Sequence, residues 1–334
     1  MNPSEKLPVG VIGAGHLGAL HAKMYSQIAG AALAGIYDIN RQRAETVAAE
    51  VGTTACNSMK ELLDRVKAVS IATPTNTHFT VAREVLSAGI HLFIEKPLTQ
   101  SADEAQQLID LARQQHLKVQ VGHIERFNPA LLALKGYQIR PMFIESHRLS
   151  QFNPRGTDVA VVLDLMIHDI DIIVSLVRSP IRQIDANGVA VVSDTIDIAN
   201  ARLQFENGCV ANVTASRISQ KKMRKMRLFQ KDAYISIDFS EGVAEVFRLV
   251  EEGTPSSKNA GMMLGQIDAG SRKRNIVYEK PEVTEINALK FELESFIRAI
   301  SSDTEPLVTA EEGKQALLIA HEIMERIQQQ KLVS

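Results

Sequence analysis

The strand-forming run Leu7-Pro8-Val9-Gly10-Val11-Ile12 passes directly into Gly13-Ala14-Gly15-His16-Leu17-Gly18, and an acidic residue, Asp38, follows twenty positions after the last glycine. Glycines at this spacing also mark ordinary turns, so the flanking sequence decides what they mean. Here the run before Gly13 reads as a buried parallel strand, and Leu17, Leu20, Met24 and Ile28 recur at helical spacing after it. The glycines therefore sit at a strand-to-helix turn. Gly13 permits the tight turn, Gly15 lets backbone approach a pyrophosphate, and Gly18 allows the helix to pack close to the sheet. His16 and Leu17, between these glycines, fall among the expected cofactor contacts. A second strand, Ala32-Leu33-Ala34-Gly35-Ile36-Tyr37, ends at Asp38, whose carboxylate suits the hydroxyls of an adenosine ribose. A carboxylate there repels a 2′-phosphate and favours NAD over NADP, although Arg41, three residues on, offers a charge that would neutralise one.

From residue 7 to about 122, apolar strand-like runs ending at Ile12, Tyr37, Ala72, Ile94 and Val121 alternate with helical segments near Arg41–Val51, Met59–Leu63, Phe79–Ala88 and Ala102–Gln114. That alternation predicts an α/β domain, a doubly wound parallel sheet with its ligand at the carboxyl ends of the strands. After about residue 136 the period becomes two. Ala199, Ala201, Leu203 and Phe205 share one strand face, Asn200, Arg202, Gln204 and Glu206 share the other, and Asn207-Gly208 reads as a two-residue hairpin turn into Cys209, Ala211, Val213 and Ala215. This predicts an α+β domain on a large, mainly antiparallel sheet with one polar face, to be solvated, to bind a sugar, or to be buried against another subunit. The expected boundaries are 1–123 for a cofactor-binding domain and 124–334 for a substrate-binding and oligomerisation domain, with the C-terminal helices able to pack back on the first. Residues 251–274, rich in Gly, Ser and Lys, read as a loop, and Thr309 with Glu312 reads as a capping box opening the last helix.

A chain of 334 residues with 45% hydrophobic content accommodates two cores. The net charge of −2 gives no global attraction to nucleic acid or an anionic membrane. Two isolated cysteines, Cys56 and Cys209, suggest neither a disulfide framework nor a zinc site but reduced packing residues in a cytoplasmic protein. No export signal is evident at the N-terminus, and the apolar stretch from Val159 to Val177 is interrupted by Asp164, His168, Asp169 and Asp171, so it is no membrane span.

Two clusters carry possible chemistry. Glu95-Lys96-Pro97 stands at a strand end, where an ammonium can steady a developing alkoxide; a surface lysine paired with Glu95 explains the position as well. Asp164 and His168, four apart in a segment that reads helical from about Asp158, share a helix face, so the carboxylate can hold the imidazole as a general base. A core histidine is the competing reading. A metal would need further ligands, and no local HExxH or Cys cluster supplies them.

Taken together, the glycine fingerprint, Ala72-Thr73-Pro74 followed by His78, Glu95-Lys96-Pro97 and Asp164-xxx-His168 resemble the glucose-fructose oxidoreductase / inositol dehydrogenase / MocA family across nearly the whole chain. The resemblance implies Lys96, Asp164 and His168 as catalytic residues, and Thr73, Pro74, Asn76, His78 and Glu95 as cofactor contacts. Within the family, Val121-Gly122-His123-Ile124-Glu125-Arg126-Phe127-Asn128-Pro129 and Phe152-Asn153-Pro154-Arg155-Gly156 look most like the members that oxidise the 3-hydroxyl of UDP-N-acetylglucosamine. An aminotransferase then acts on the ketone those members make, toward lipid A or related surface sugars. This implies a UDP-sugar substrate met by Arg126, Asn128, Asn153 and Arg155 beside the catalytic residues. Arginine forks suit diphosphate oxygens. The basic run Lys221, Lys222, Arg224, Lys225 and Arg227 is compatible with the same ligand, but reads better as a solvated edge or loop, and His123 and His147 read as structural. The rival expectations are a dehydrogenase of a free polyol such as inositol or glucose, and a dinucleotide-sensing regulator, which would not need the complete Lys, Asp and His set. The open sheet face suggests a homodimer or homotetramer.

Overall fold

A computed structural model describes residues 6–153, 159–251, 261–269 and 272–331. It divides into two compact units, Met1–Phe127 with Ile286–Leu318, and Asn128–Glu285 with Ile319–Ser334. The first unit thus extends slightly past residue 123 and takes in a later segment of chain, so the second is not one continuous stretch from 124.

The first unit runs β1 (Leu7–Ile12), α1 (His16–Tyr25), β2 (Ala31–Tyr37), α2 (Arg41–Val51), α3 (Met59–Leu63), β3 (Ala68–Ile71), α4 (Thr75–Ser87), β4 (His91–Glu95), α5 (Ala102–Gln114) and β5 (Val119–Gly122). Its five strands are parallel in the order β2-β1-β3-β4-β5. Val9, Val11, Val69, Ile71, Leu92, Phe93 and Ile94 are fully buried, as a sheet covered on both faces requires. The order reverses at β1 and β3, so the crevice for a ligand opens beyond the carboxyl ends of those two strands. The loops that carry the glycines and Thr73 follow these strands, and Lys96 follows the adjacent β4.

The second unit begins with α6 (Pro129–Leu132) and β6 (Phe143–Leu149), then a π-helical turn at Val162–Met166 leads into α7 (Ile167–Val177). There follow β7 (Ile181–Val189), β8 (Ile198–Phe205), β9 (Val210–Ser216), β10 (Met223–Gln230), β11 (Ala233–Asp238), β12 (Val243–Glu251), β13 (Met262–Ala269) and β14 (Arg272–Glu279). They form a nine-stranded sheet, β13-β14-β12-β11-β10-β6-β9-β8-β7, antiparallel except for the β6–β9 pair. The helices α8 (Ala288–Ser301) and α9 (Ala310–Lys331) close the chain. Leu293, Phe296 and Ile297 of α8 join the core of the first unit with Val9, Val11 and Phe93, and the capping box forms, Thr309 Oγ1 accepting from Glu312 N and Glu312 Oε2 accepting from Thr309 N.

Several local expectations are corrected. The hairpin joining β8 and β9 has a three-residue loop: Phe205 N donates to Cys209 O, Gly208 N donates to Phe205 O, and Gly208 takes the left-handed conformation with φ +86° that closes such a loop. Of the presumed loop at 251–274, Met262–Ala269 and the start of β14 are strands, paired with each other, while residues 252–260 and 270–271 lie outside the described residues. Of the basic run, Lys221 and Lys222 lie exposed in the loop before β10, as expected, whereas Arg224, Lys225 and Arg227 are on no edge: β10 lies between β11 and β6, and Lys225 pairs across the strands with Asp238 at 3.0 Å and Arg227 with Glu145 at 2.8 Å. Opposite charges directly across a ladder stabilise it and leave these groups solvated.

The open face of this sheet also carries aromatic rings in a row across five strands, Phe143, Phe229, Tyr234, Phe247 and Tyr278, with successive centroids 5.8, 5.1, 5.6 and 5.0 Å apart. Met262, Met263 and Leu264 continue the exposed apolar surface on the edge strand. Among the described residues no helix is long and apolar enough to cross a membrane.

Candidate active site

In the first unit the glycine turn is built for close approach. Gly13 has φ +97°, and a Cβ there would lie 2.6 Å from Ala72 O; a Cβ at Gly18 would lie 1.8 Å from Gly13 O. Both positions therefore exclude any side chain. Gly15, the N-cap of α1, has no side-chain capping bond, and nothing stands within 4 Å of where its Cβ would be. The first-turn N–H groups of α1 and its positive dipole end thus remain available to an anion such as a pyrophosphate. A cavity of about 660 Å³ adjoins this turn, lined by residues that include Gly15, His16, Asn40, Arg43 and Thr46.

Asp38 is held rigidly. Its Oδ2 accepts from Ala14 N at 2.6 Å and its Oδ1 from Asn40 N at 2.7 Å, which fixes the carboxylate beside the glycine turn. Arg41, expected at the cofactor, points elsewhere: its guanidinium donates to Glu45 Oε1 at 2.7 Å and to Asn57 Oδ1. The i,i+4 pairing with Glu45 along α2 diverts it. Arg43, which the sequence reading missed, lines the cavity instead.

After β3, Thr73 and Pro74 form the turn into α4, with Thr77 Oγ1 bonded to Thr73 Oγ1 and Pro74 O, each at 2.8 Å. Asn76 is exposed in the first turn of that helix. His78, expected at the cofactor, is 1% exposed, with Nδ1 2.9 Å from Pro97 O and Nε2 3.0 Å from Thr73 O. The ring braces the Thr73 turn against the Lys96-Pro97 turn. Burial lowers its pKa, outweighing the bonds to the Pro97 and Thr73 carbonyls, which act in the opposite direction. Glu95 has a comparable bracing role. Its Oε1 lies 3.0 Å from Nε2 of the buried His21, and its carboxyl lies against Gly122 on the neighbouring strand, where a Cβ would come within 3.0 Å of it. Lys96 follows directly, half-buried at the carboxyl end of β4.

In the second unit, Asp164 lies within the π-helical turn and His168 in the first turn of α7, both half-buried. The expected regular helix from Asp158 is replaced by this wider turn; residues 154–158 lie outside the described residues. Such π-turns recur at functional sites because they re-aim side chains within a helix. Directly after His168, Asp169 receives a two-pronged bond from Arg148 of β6, Nε to Oδ2 at 2.7 Å and Nη2 to Oδ1 at 3.2 Å, with both side chains buried. This anchor was not evident in the sequence, because its partners are twenty-one residues apart.

Three of the four expected substrate residues beside the catalytic group can be located. Arg126 donates to Glu312 Oε1 at 2.8 Å within the first unit, and Asn128 caps α6 through Ala130 N while its amide donates to Phe239 O at 3.1 Å. Both side chains are thus engaged with the fold. Asn153 is exposed, and Arg155 lies outside the described residues. His123 is buried and His147 is half-buried on β6. Among the described residues no cluster of three or more His, Cys, Asp or Glu side chains could hold a metal ion.

Residues 7–123 match the oxidoreductase family model with an NAD-binding Rossmann fold, and residues 140–245 match the GFO/IDH/MocA C-terminal domain. The chain is 39% identical over 316 residues to a UDP-N-acetylglucosamine 3-dehydrogenase of Acidithiobacillus ferrooxidans, covering 94% of this chain and 95% of that one. A solved structure of the UDP-N-acetylglucosamine 3-dehydrogenase from that organism superposes with a TM-score of 0.87 at 36% identity, covering 96% of this chain and 97% of that one. A levoglucosan dehydrogenase solved with NADH and L-sorbose shares the fold, with a TM-score of 0.82 at 20% identity over 97% of each chain.

Proposed function

We propose, from the premise that the chain belongs to the GFO/IDH/MocA oxidoreductase family, that it oxidises a ring hydroxyl of a nucleotide-activated amino sugar, UDP-N-acetylglucosamine at its 3-hydroxyl. The observation that carries this reading is the near full-length likeness to an enzyme of that name, in a chain that has Lys96, Asp164 and His168 together. A regulator that only senses a dinucleotide would have no need of all three.

The cofactor of this reading is NAD. The turn from Gly13 to Gly18 and the start of α1 would hold its pyrophosphate, and the fixed carboxylate of Asp38 would take the ribose hydroxyls and repel a 2′-phosphate. When bound, NAD supplies the hydride acceptor. His168 takes the proton of the sugar hydroxyl, Asp164 orients the imidazole and stabilises it once protonated, and the Lys96 ammonium stabilises the alkoxide. The protein works in the cytoplasm, and its ketone product is a substrate for an aminotransferase.

The reading extends to assembly. A nine-stranded sheet with strands about 4.8 Å apart and roughly 20 Å long offers a face on the order of 800 Å², about one partner's share of a stable interface. A row of five rings and cross-paired charges on that face suits a second copy of this chain, as a homodimer or a pair of dimers.

The test follows nicotinamide reduction optically on adding UDP-N-acetylglucosamine, then UDP-glucose, then inositol. Reduction with the first, and a product lighter by two hydrogens in the mass spectrum, supports the reading. Reduction with inositol alone replaces it with polyol oxidation, and saturable NAD binding without any reduction replaces it with sensing.

A further inference from the structure

Outside the residues assigned above, the second unit holds a buried ion pair at the entry to the π-turn. Asp197, at the start of β8, is fully buried and accepts backbone N–H bonds from Val191, Val192 and Ser193 at 2.8, 2.7 and 2.9 Å, and a bond from Ser193 Oγ at 2.7 Å. Arg217 Nε donates to its other oxygen at 2.8 Å. The guanidinium then continues outward: Nη1 donates to Val159 O at 2.6 Å, and Nη2 to Ser193 Oγ, Thr195 Oγ1 and Ile196 O. Val161 N in turn donates to Ile196 O at 2.9 Å. One residue later the π-turn with Asp164 begins.

The knot is therefore aimed at a particular piece of backbone. Arg217 bonds Val159 directly and shares the Ile196 carbonyl with Val161 N, the two valines that lead into the turn, and the Arg148–Asp169 pair grips the residue after His168. A π-turn carries one residue more than the α-helix into which it otherwise relaxes, and losing it would rotate the residues before the turn by about 100° around the helix axis relative to those after it. A segment restrained at both ends cannot shed that residue. We propose that Asp197 and Arg217 are positioning residues for the reaction: they lock the approach to the π-turn and so fix the directions in which Asp164 and His168 are presented. This inference rests on the proposed roles of Asp164 and His168.

The test uses full-length Asp197→Asn and Arg217→Lys, which keep size or charge but lose the fork geometry, and Ser193→Ala as a milder variant that removes one bond from each partner. Two measurements are made on the cooperatively folded variants. Backbone hydrogen exchange over residues 159–170 is expected to accelerate tenfold or more, with exchange in 7–51 unchanged. With UDP-N-acetylglucosamine deuterated at C3, kcat is expected to fall tenfold or more with KM for NAD unaltered, and the primary isotope effect on kcat to rise, because the chemical step becomes slower in every molecule. A merely structural role would lower the folded fraction and leave the isotope effect as it was. Normal exchange over 159–170 in the folded variants overturns the inference whatever the substrate, and so does accelerated exchange with unchanged kcat and isotope effect. Failure of the wild-type protein to oxidise any sugar overturns the proposed function instead.

Discussion

At the residue scale, the division of labour is between side chains that face a ligand and side chains that hold others in place. The proposed function puts Lys96 in the first group; His78, Glu95 and His21 belong to the second. Lys96→Ala is expected to lower kcat at least a hundredfold, about 2.7 kcal/mol of transition-state stabilisation, while NAD binding followed by fluorescence or calorimetry stays within about twofold. Turnover near the wild-type level would remove Lys96 from its role. Asp38→Ala removes the carboxylate that repels a 2′-phosphate; the kcat/KM ratio of NAD to NADP is expected to fall by about tenfold or more, or ~1.4 kcal/mol, in a steady-state comparison of the two cofactors. The motifs themselves, Gly13 to Gly18, Asp38, Lys96 and Asp164 with His168, were legible because each is a short run or a fixed spacing. The bonds of Arg126 to Glu312 and of Asn128 to Phe239 were not readable, because nothing near them in sequence announces those partners.

At the scale of elements, two devices keep the ends of helices where the chemistry needs them. The capping box of α9 was readable from Thr309 and Glu312 alone, since capping is a contact between near neighbours. Thr309→Ala is expected to cost about 1 kcal/mol, seen as a lower urea midpoint with unchanged slope. The Asp197 knot was invisible beforehand because Arg217 is twenty residues away. Burial alone would raise the pKa of Asp197, but the bonds from Ser193, Val192 and Val191 outweigh it and hold the carboxyl far below its ordinary range. The sign follows from linkage. A depressed native pKa stabilises the fold at pH above the unfolded value, about 3.9, and that contribution is lost as pH falls below it. Urea midpoints measured from pH 7 down to pH 3 should fall more steeply at the acid end for the wild type than for Asp197→Asn. Parallel curves would show that the carboxylate contributes nothing to acid sensitivity.

At the scale of the whole molecule, the alternation of strands and helices up to residue 122 and the period-two pattern after it were enough to assign both sheets, because burial imposes those periods locally. Strand order was not readable, nor was the position of β10 within the sheet. The ring row on the open face leads to a prediction at this scale. Phe229→Asp combined with Phe247→Asp places two charges in the row and is expected to shift the mass seen by light scattering to that of a single chain, with the circular dichroism spectrum retained. A wild-type protein that is already monomeric at micromolar concentration would end the assembly proposal.

The amino-acid sequence by itself determined a dinucleotide turn, an acidic residue at the end of the second strand and two kinds of sheet, since each depends on spacing within one element or one turn. Only the tertiary structure decided which charged side chains are paired across long stretches of sequence: Arg126 on Glu312, Arg148 on Asp169 and Arg217 on Asp197. The physical reason is that a buried or half-buried charge must be paired, and its partner is set by which strands and helices become neighbours in space.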